Sequence, residues 1–249
     1  MIPLRLSPSF RERVWGATRL EPWFPNSEKK IGEVWFEGIE NLPLLVKFLF
    51  TSENLSVQVH PDDAFALKHH NSRGKTEMWH ILAAQPGAKI AAGFRESLSL
   101  ERLKAAALSG EIENLLQWFD AVPGDTFFIP AGTVHAIGAG LTLCEIQQHS
   151  DVTYRLYDYG RPRELHLEQA LAVSHRRPYA ARRPASAEPL VSCEKFVTKR
   201  FQIEQPTIHR PIPGKFELLI SIEGSGQVAG QPAKPGDVWY VPPDARLLS

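Results

Sequence analysis

Only two cysteines, Cys144 and Cys193, occur in the chain. They are too few for a disulfide framework and stand in no zinc-ribbon spacing, which fits a reducing compartment. Net charge is equally lacking, since 28 Lys and Arg balance 28 Asp and Glu. No global field therefore draws nucleic acid or an anionic membrane, and any anion site has to be a local cluster suited to a small molecule. Long hydrophobic runs are missing as well. The most apolar stretch, Leu42 to Phe50, is interrupted by Pro43 and Lys47, and Met1-Ile2-Pro3-Leu4-Arg5 lacks a basic segment followed by an apolar one. The expectation is a cytoplasmic chain, neither secreted nor membrane-spanning, that is a monomer or weak dimer.

What is abundant is punctuation. Twenty prolines and seventeen glycines separate short runs rich in Val, Ile, Leu and Phe, the pattern of many short strands joined by turns. Leu44 to Phe50 reads as a buried strand, Leu55 to His60 alternates, Lys89 to Phe94 is short, and Thr126 to Ile129 stops at Pro130. Helical pattern interrupts this between about Leu98 and Phe119: Ser99 is placed to cap Leu100 to Leu108, Gly110 to end it, and Glu111 to Phe119 to continue as a second piece. A third helix is predicted at about Leu165 to Ser174. The Arg-, Pro- and Ala-rich segment 176–190 then reads as an exposed connection.

An internal repeat sets the architecture. Pro123-Gly124-Asp125-Thr126-Phe127-Phe128-Ile129-Pro130 recurs as Pro235-Gly236-Asp237-Val238-Trp239-Tyr240-Val241-Pro242. Each copy is a turn, a short apolar strand and a terminating proline, so the chain divides into a lobe of residues 1–175 and a second of residues 191–249. The first copy runs on to His135 as G-x5-P-x-G-x2-H, which resembles the second signature of the cupin superfamily. The resemblance implies a mainly β fold of two tandem double-stranded β-helix (jelly-roll) lobes with a metal inside the barrel. His135 would be one ligand. Its counterpart in the second copy is Leu247, so one metal per chain is expected, in the first lobe.

On the strand Leu55 to His60, alternation turns Ser56, Gln58 and His60 to one face. Alternation alone fits an exposed edge as well as a ligand face. Longer motifs go further: Ile31-Gly32-Glu33-Val34-Trp35, the run Leu42 to Leu49 with Leu55 to Asp63, Gly74-Lys75-Thr76-Glu77-Met78-Trp79, Phe128 to Ala136, and Ser150 to Tyr159. In order and over about residues 10 to 175, they resemble type I mannose-6-phosphate isomerases, especially the short bacterial members.

That resemblance implies zinc ligands at Gln58, His60, Glu77 and His135. Two imidazoles, a carboxylate and an amide oxygen without thiolate suit zinc, and equally Mn, Fe or Co. It further places Lys75 and Arg155 in the cleft as catalytic and substrate-binding cations, with Ser56 on the substrate side. Glu145 falls at a family position as candidate base or orienting group. Arg161 stands where the family usually has lysine, as a second substrate-binding cation. The implied reaction is aldose-ketose isomerisation of mannose 6-phosphate and fructose 6-phosphate through an enediolate. The competing readings are a non-catalytic sugar-phosphate-binding cupin and another metal-dependent cupin enzyme. His69, His70, His80, His149, His166, His175 and His209 lack a second ligand at fitting spacing and read as structural or exposed. Trp15, Trp35 and Trp79 read as core, and Cys144 as a small buried hydrophobe. Two departures from the family are the reduced helical part, 98–119, and the end of the chain at Ser249, seven residues past Pro242.

Overall fold

The computed structural model of the chain describes residues 2–183, 187–243 and 245. Its early elements are β1 (Leu4–Arg5), β2 (Ser7–Ala17), β3 (Ile31–Glu37), β4 (Leu44–Phe50), β5 (Val57–Val59), α1 (Asp63–His70), β6 (Glu77–Ala84) and β7 (Lys89–Phe94). There follow α2 (Leu100–Ser109), α3 (Ile112–Leu115), β8 (Leu116–Asp120), β9 (Thr126–Ile129), β10 (His135–Ile137), β11 (Leu141–Gln148), β12 (Tyr154–Tyr157) and α4 (Leu167–Val173). The last are β13 (Arg182–Arg183), β14 (Val191–Ser192), β15 (Val197–Thr198), β16 (Glu217–Ile220), β17 (Gly226–Val228), β18 (Gln231–Ala233) and β19 (Val238–Val241).

Two sheets enclose the larger barrel, one ordered β13-β9-β6-β11-β4-β3-β2 and the other β12-β5-β10-β7-β8. This is the mainly β cupin architecture expected. Leu49, Trp79, Ile81, Phe127, Ile129 and Leu143 from the first sheet meet Ile90, Ala92 and Ile137 from the second to fill the space between them. The outer faces are covered too. Helices α2 and α4 lie with Ala91, Phe94, Val134 and Ala136 on the smaller of the two sheets. Val46, Phe48 and Phe50 pack with Trp23, Phe24 and Val238 on the other. A strand buried on both faces reads as a continuous apolar run, which is why β4 shows no alternation.

The repeat is reproduced bond for bond. Gly124 and Gly236 adopt φ 92° and 90°, the left-handed turn conformation that glycine accepts without steric cost. Asp125 accepts from the Val122 amide at 3.0 Å, and Asp237 from the Lys234 amide at 2.9 Å. The two glycine amides donate to Ile81 and Ser221 carbonyls, each at 2.8 Å. Each repeat strand also gains an arginine-bearing neighbour. Arg182 on β13 lies opposite Phe127 and pairs with Asp125 at 2.6 Å. Arg5 on β1 lies opposite Trp239, the equivalent of Phe127, and reaches Asp237 at 3.6 Å. The N-terminal strand thus joins the small sheet β1-β19-β16, while β13 closes the edge of the large one.

Several expectations are corrected here. Segment 176–190 is not simply an exposed connection, because Ala181 is buried, Tyr179 packs on the barrel core and Arg182–Arg183 is a strand. The second helical piece ends at Leu115; Leu116 to Asp120 is strand β8, whose aromatic residues pair along β7 and whose backbone bonds outweigh local helix preference. Helix α1 is an addition to the expected elements and follows Pro61, with Asp62 capping the Phe65 amide at 2.8 Å. Helices α2 and α4 lie where expected, and Ser99 caps α2. Leu247 lies outside the described residues.

Candidate active site

Register builds the site. On β10, His135 lies opposite Gln58 of β5, and Gln58 in turn lies opposite Arg155 of β12. His60 stands just beyond β5, and Glu77 opens β6. Ligand atoms of His60, Glu77 and His135 all fall within 4.8 Å of one another, and all three residues are buried.

Both imidazoles are held in one tautomer. His60 Nδ1 lies 3.0 Å from the Val152 carbonyl and His135 Nδ1 lies 2.9 Å from the Thr133 carbonyl. A carbonyl can only accept, so each Nδ1 carries hydrogen and each Nε2 presents its lone pair toward Glu77, 3.6 Å away in both cases. Burial, reinforced by the Lys75 charge, pushes the His60 pKa down to about 4, and burial lowers that of His135. Neutral imidazole is the form a metal binds. Glu77 Oε1 is a buried acceptor with no hydrogen-bond partner. Burial works to raise the Glu77 carboxyl, but Lys75 above all, then His60, holds it well below the usual carboxylate range. His135 Nε2 faces that unpartnered Oε1 and His60 Nε2 faces Oε2, so two lone-pair nitrogens and one carboxylate gather as a donor set that fits a divalent cation.

Gln58 adds a fourth group. Its Nε2 lies 3.3 Å from His135 Nε2, and its Oε1 accepts from Ser56 Oγ at 3.3 Å. A hydroxyl accepts as well as donates, so turning the amide would bring Oε1 to the imidazole nitrogen without losing the Ser56 bond. Lys75 donates to Glu77 Oε2, lies 3.2 Å from His60 Nε2 and 3.6 Å from Glu145 Oε1. Burial works to lower its pKa, and Glu145 and Glu77 outweigh that and raise it.

Glu145 accepts from Trp79 Nε1 at 3.1 Å and meets Lys47 at 3.2 Å. Trp79 also stands edge-on to His135 at 5.2 Å, so it is pocket wall as well as core. Lys47, Glu33 and Trp35 were given no role from sequence, yet Lys47 sits 3.7 Å from Glu33 and 4.4 Å from the Trp35 ring. The signal was a lysine inside an apolar strand, where a buried ammonium demands partners.

The cations divide. Arg155 shares the face of Gln58; its Nη1 donates to the Glu164 carbonyl at 2.5 Å, and its buried Nε has no partner. Arg161 instead gives Nε to Asp158 Oδ1 at 3.0 Å and Nη2 to the Asn54 carbonyl at 2.8 Å. The structure therefore brings Ser56, Gln58, His60, Lys75, Glu77, His135 and Glu145 together, with Arg155 beside them. It ties Arg161 into the turn after β12.

Comparison with known proteins follows this geometry. Residues 20–80 match the model of the phosphomannose isomerase type I catalytic domain. Mannose-6-phosphate isomerase ManA of Bacillus subtilis is 32% identical over 96% of this chain and 93% of its own length. This chain belongs to the type I mannose-6-phosphate isomerase family. A family member from Streptococcus mutans is 34% identical over 91% of this chain and 86% of its own. The crystal structure of the mannose 6-phosphate isomerase from Bacillus subtilis superposes with a TM-score of 0.86 at 29% identity, covering 99% of this chain and 96% of that one. Phosphomannose isomerase of Salmonella typhimurium shares the fold, with a TM-score of 0.74 at 15% identity over 99% of this chain and 96% of its own. No helix of the described residues is long and apolar enough to cross a membrane.

Proposed function

We propose that this isomerase-family chain interconverts mannose 6-phosphate and fructose 6-phosphate with one zinc ion at Gln58, His60, Glu77 and His135 of the first lobe. The observation that carries the reading is the buried gathering of the two imidazole lone pairs around the Glu77 carboxylate, one of whose oxygens has no hydrogen-bond partner, with Lys75 and Glu145 adjoining. A divalent cation bound there supplies Lewis acidity toward the sugar oxygens.

The chain's own residues supply the rest. The aldose loses its C2 proton and regains one at C1, while the carbonyl passes from C1 to C2. Glu145 carries that proton between the two carbons while the hydroxyl proton passes from the C2 oxygen to the C1 oxygen; Trp79 holds Glu145 Oε2, and Lys47 and Lys75 flank the Oε1 that makes the exchange. Lys75 stands over the negative charge that develops on the enediolate oxygens. Arg155 offers its unpartnered Nε to a phosphate or sugar oxygen. Ser56 holds the Gln58 amide. Arg161 anchors the turn behind Arg155 through Asp158 and Asn54, and reaches the substrate only indirectly.

The reading is tested by supplying mannose 6-phosphate to zinc-loaded protein and following fructose 6-phosphate. Turnover that is lost on chelation and restored by zinc is the expected result. Binding without turnover would return the chain to a sugar-phosphate-binding role.

A further inference from the structure

Charged side chains form a single line across the inner face of the large sheet. It starts at Glu77 and Lys75, passes through Glu145 on β11, Lys47 on β4 and Glu33 on β3, and ends at Arg13 on β2. These strands are consecutive neighbours in the sheet, β6-β11-β4-β3-β2. Charge alternates at every step, with separations of 3.6 Å (Lys75–Glu145), 3.2 Å (Glu145–Lys47), 3.7 Å (Lys47–Glu33) and 2.6 Å (Glu33–Arg13). Lys47 and Glu145 are directly opposite in register and both are buried. Only the Arg13 end is substantially open, with 36% of its side chain exposed.

Lys47 sits in a three-sided seat. Glu145 pulls from the side of the metal donors, Glu33 pulls from the other side, and the Trp35 ring closes the third. Buried ions have no water to replace a missing partner, so removing Glu33's charge leaves Lys47 drawn by Glu145 alone. The ammonium, already 3.2 Å from Glu145 Oε1, would then leave the Glu33 side and pair with Glu145 alone, changing the balance between Lys47 and Lys75 on that oxygen. Arg13 completes the arrangement by fixing Glu33 from outside. Neither Glu33 nor Arg13 pairs with the donor cluster; Lys47 is the contact between them, and Glu33 reaches Lys75 only through the field of its charge.

We propose that Glu33 is a positioning residue of the isomerase, sharing the Lys47 ammonium with Glu145 and thereby limiting how tightly Lys47 holds the Glu145 carboxylate relative to Lys75 and Glu77. The proposal rests on the isomerase reading of the site. Glu33→Gln keeps the shape and removes only the charge. It should lower kcat by about 10- to 100-fold, the range seen when partners behind a catalytic centre are removed. Zinc content and KM for mannose 6-phosphate should stay near wild type, and Glu33→Asp should recover part of the loss.

The deciding measurement is a double-mutant cycle with Lys47→Met. Glu33→Gln should cost little further in that background, because the residue it acts through is gone. An equal loss in both backgrounds, or wild-type kcat in Glu33→Gln, would overturn the proposal. Should Lys47→Met be too slow to measure, a crystal structure of Glu33→Gln decides: a displaced Lys47 ammonium supports the proposal, and an unmoved one overturns it. If Glu33→Gln does not fold, Arg13→Gln takes its place with a smaller fall in kcat, and unchanged kcat there counts against the idea. Failure of the wild-type protein to turn over mannose 6-phosphate would sink the isomerase reading, while the position of Lys47 in the variant would still judge the geometry.

Discussion

Arg155 of β12 lies directly across from Gln58 of β5, so this strand pair sets a cation beside a candidate metal donor and turns both to the same face. Burial, then the neighbouring Arg163 charge, lowers the Arg155 pKa, while its Nε remains unpartnered. Arg155→Lys keeps a charge and loses the planar fork. The expected outcome is a fall in kcat/KM of about 100-fold or more, with zinc content and Tm near wild type. An unchanged kcat/KM would make Arg155 a structural cation.

Glu77 brings the sole carboxylate to the donor set, and His60 one of its two imidazoles. Glu77→Gln and His60→Ala should lose metal and turnover together, whereas the wild-type chain holds about one zinc equivalent. Neither residue belongs to the apolar cluster of Leu49, Trp79, Ile81 and Phe127 that fills the barrel, so both variants should fold. Elemental analysis checks this; normal zinc in either variant, or about two equivalents in the wild type, would refute the assignment.

Gly124 and Gly236 offer a matched pair. Both have positive φ, but a Cβ at Gly124 meets nothing within 4 Å, while one at Gly236 would come within 2.6 Å of the Trp23 carbonyl. Gly124→Ala should cost only the left-handed backbone, about 1 kcal/mol. Gly236→Ala should cost a further 1–3 kcal/mol or so for the collision. Urea unfolding of the two variants makes the comparison, and equal costs would contradict it.

His80 donates to or accepts from Thr126 Oγ1 at 2.9 Å, and burial, with help from Arg200, pushes its pKa down to about 4. The unfolded chain then binds this proton more readily than the folded one. Its contribution to stability is complete above about pH 6.5 and is lost as pH falls toward 4. At most about 3 kcal/mol is involved. His80→Gln should flatten the fall in Tm between those pH values without abolishing it, because other buried histidines share the behaviour. An unaltered slope would show that His80 carries no part of it.

How much was legible follows from which forces were local. Pro130 ends β9 and Gly110 ends α2 as read, because proline and glycine act through their own backbone. His60, Glu77 and His135 were named by motif and do meet. The line through Lys47 and Glu33 is not legible in the sequence, because β11 lies far along the chain from β3 and β4 and only the sheet order sets Glu145 beside Lys47. Arg161 was placed in the pocket by analogy, and Asp158, close by in the chain, takes its guanidinium instead. Strand β8 looked helical for a related reason: its partner β7 lies across the helical insertion, and pairing outweighed propensity.

Sequence separation orders the closing of the two sheets. Leu4 and Arg5 find their partners Tyr240 and Trp239 far along the chain. The large barrel is better placed, since its closing strand Arg182–Arg183 follows its partner Thr126 and Phe127 by a much shorter stretch of chain. Contacts between residues so far apart in sequence form slowly. The large barrel can therefore close while Leu4 and Arg5 still wait for their partners, and the small sheet becomes a clasp fastened after it.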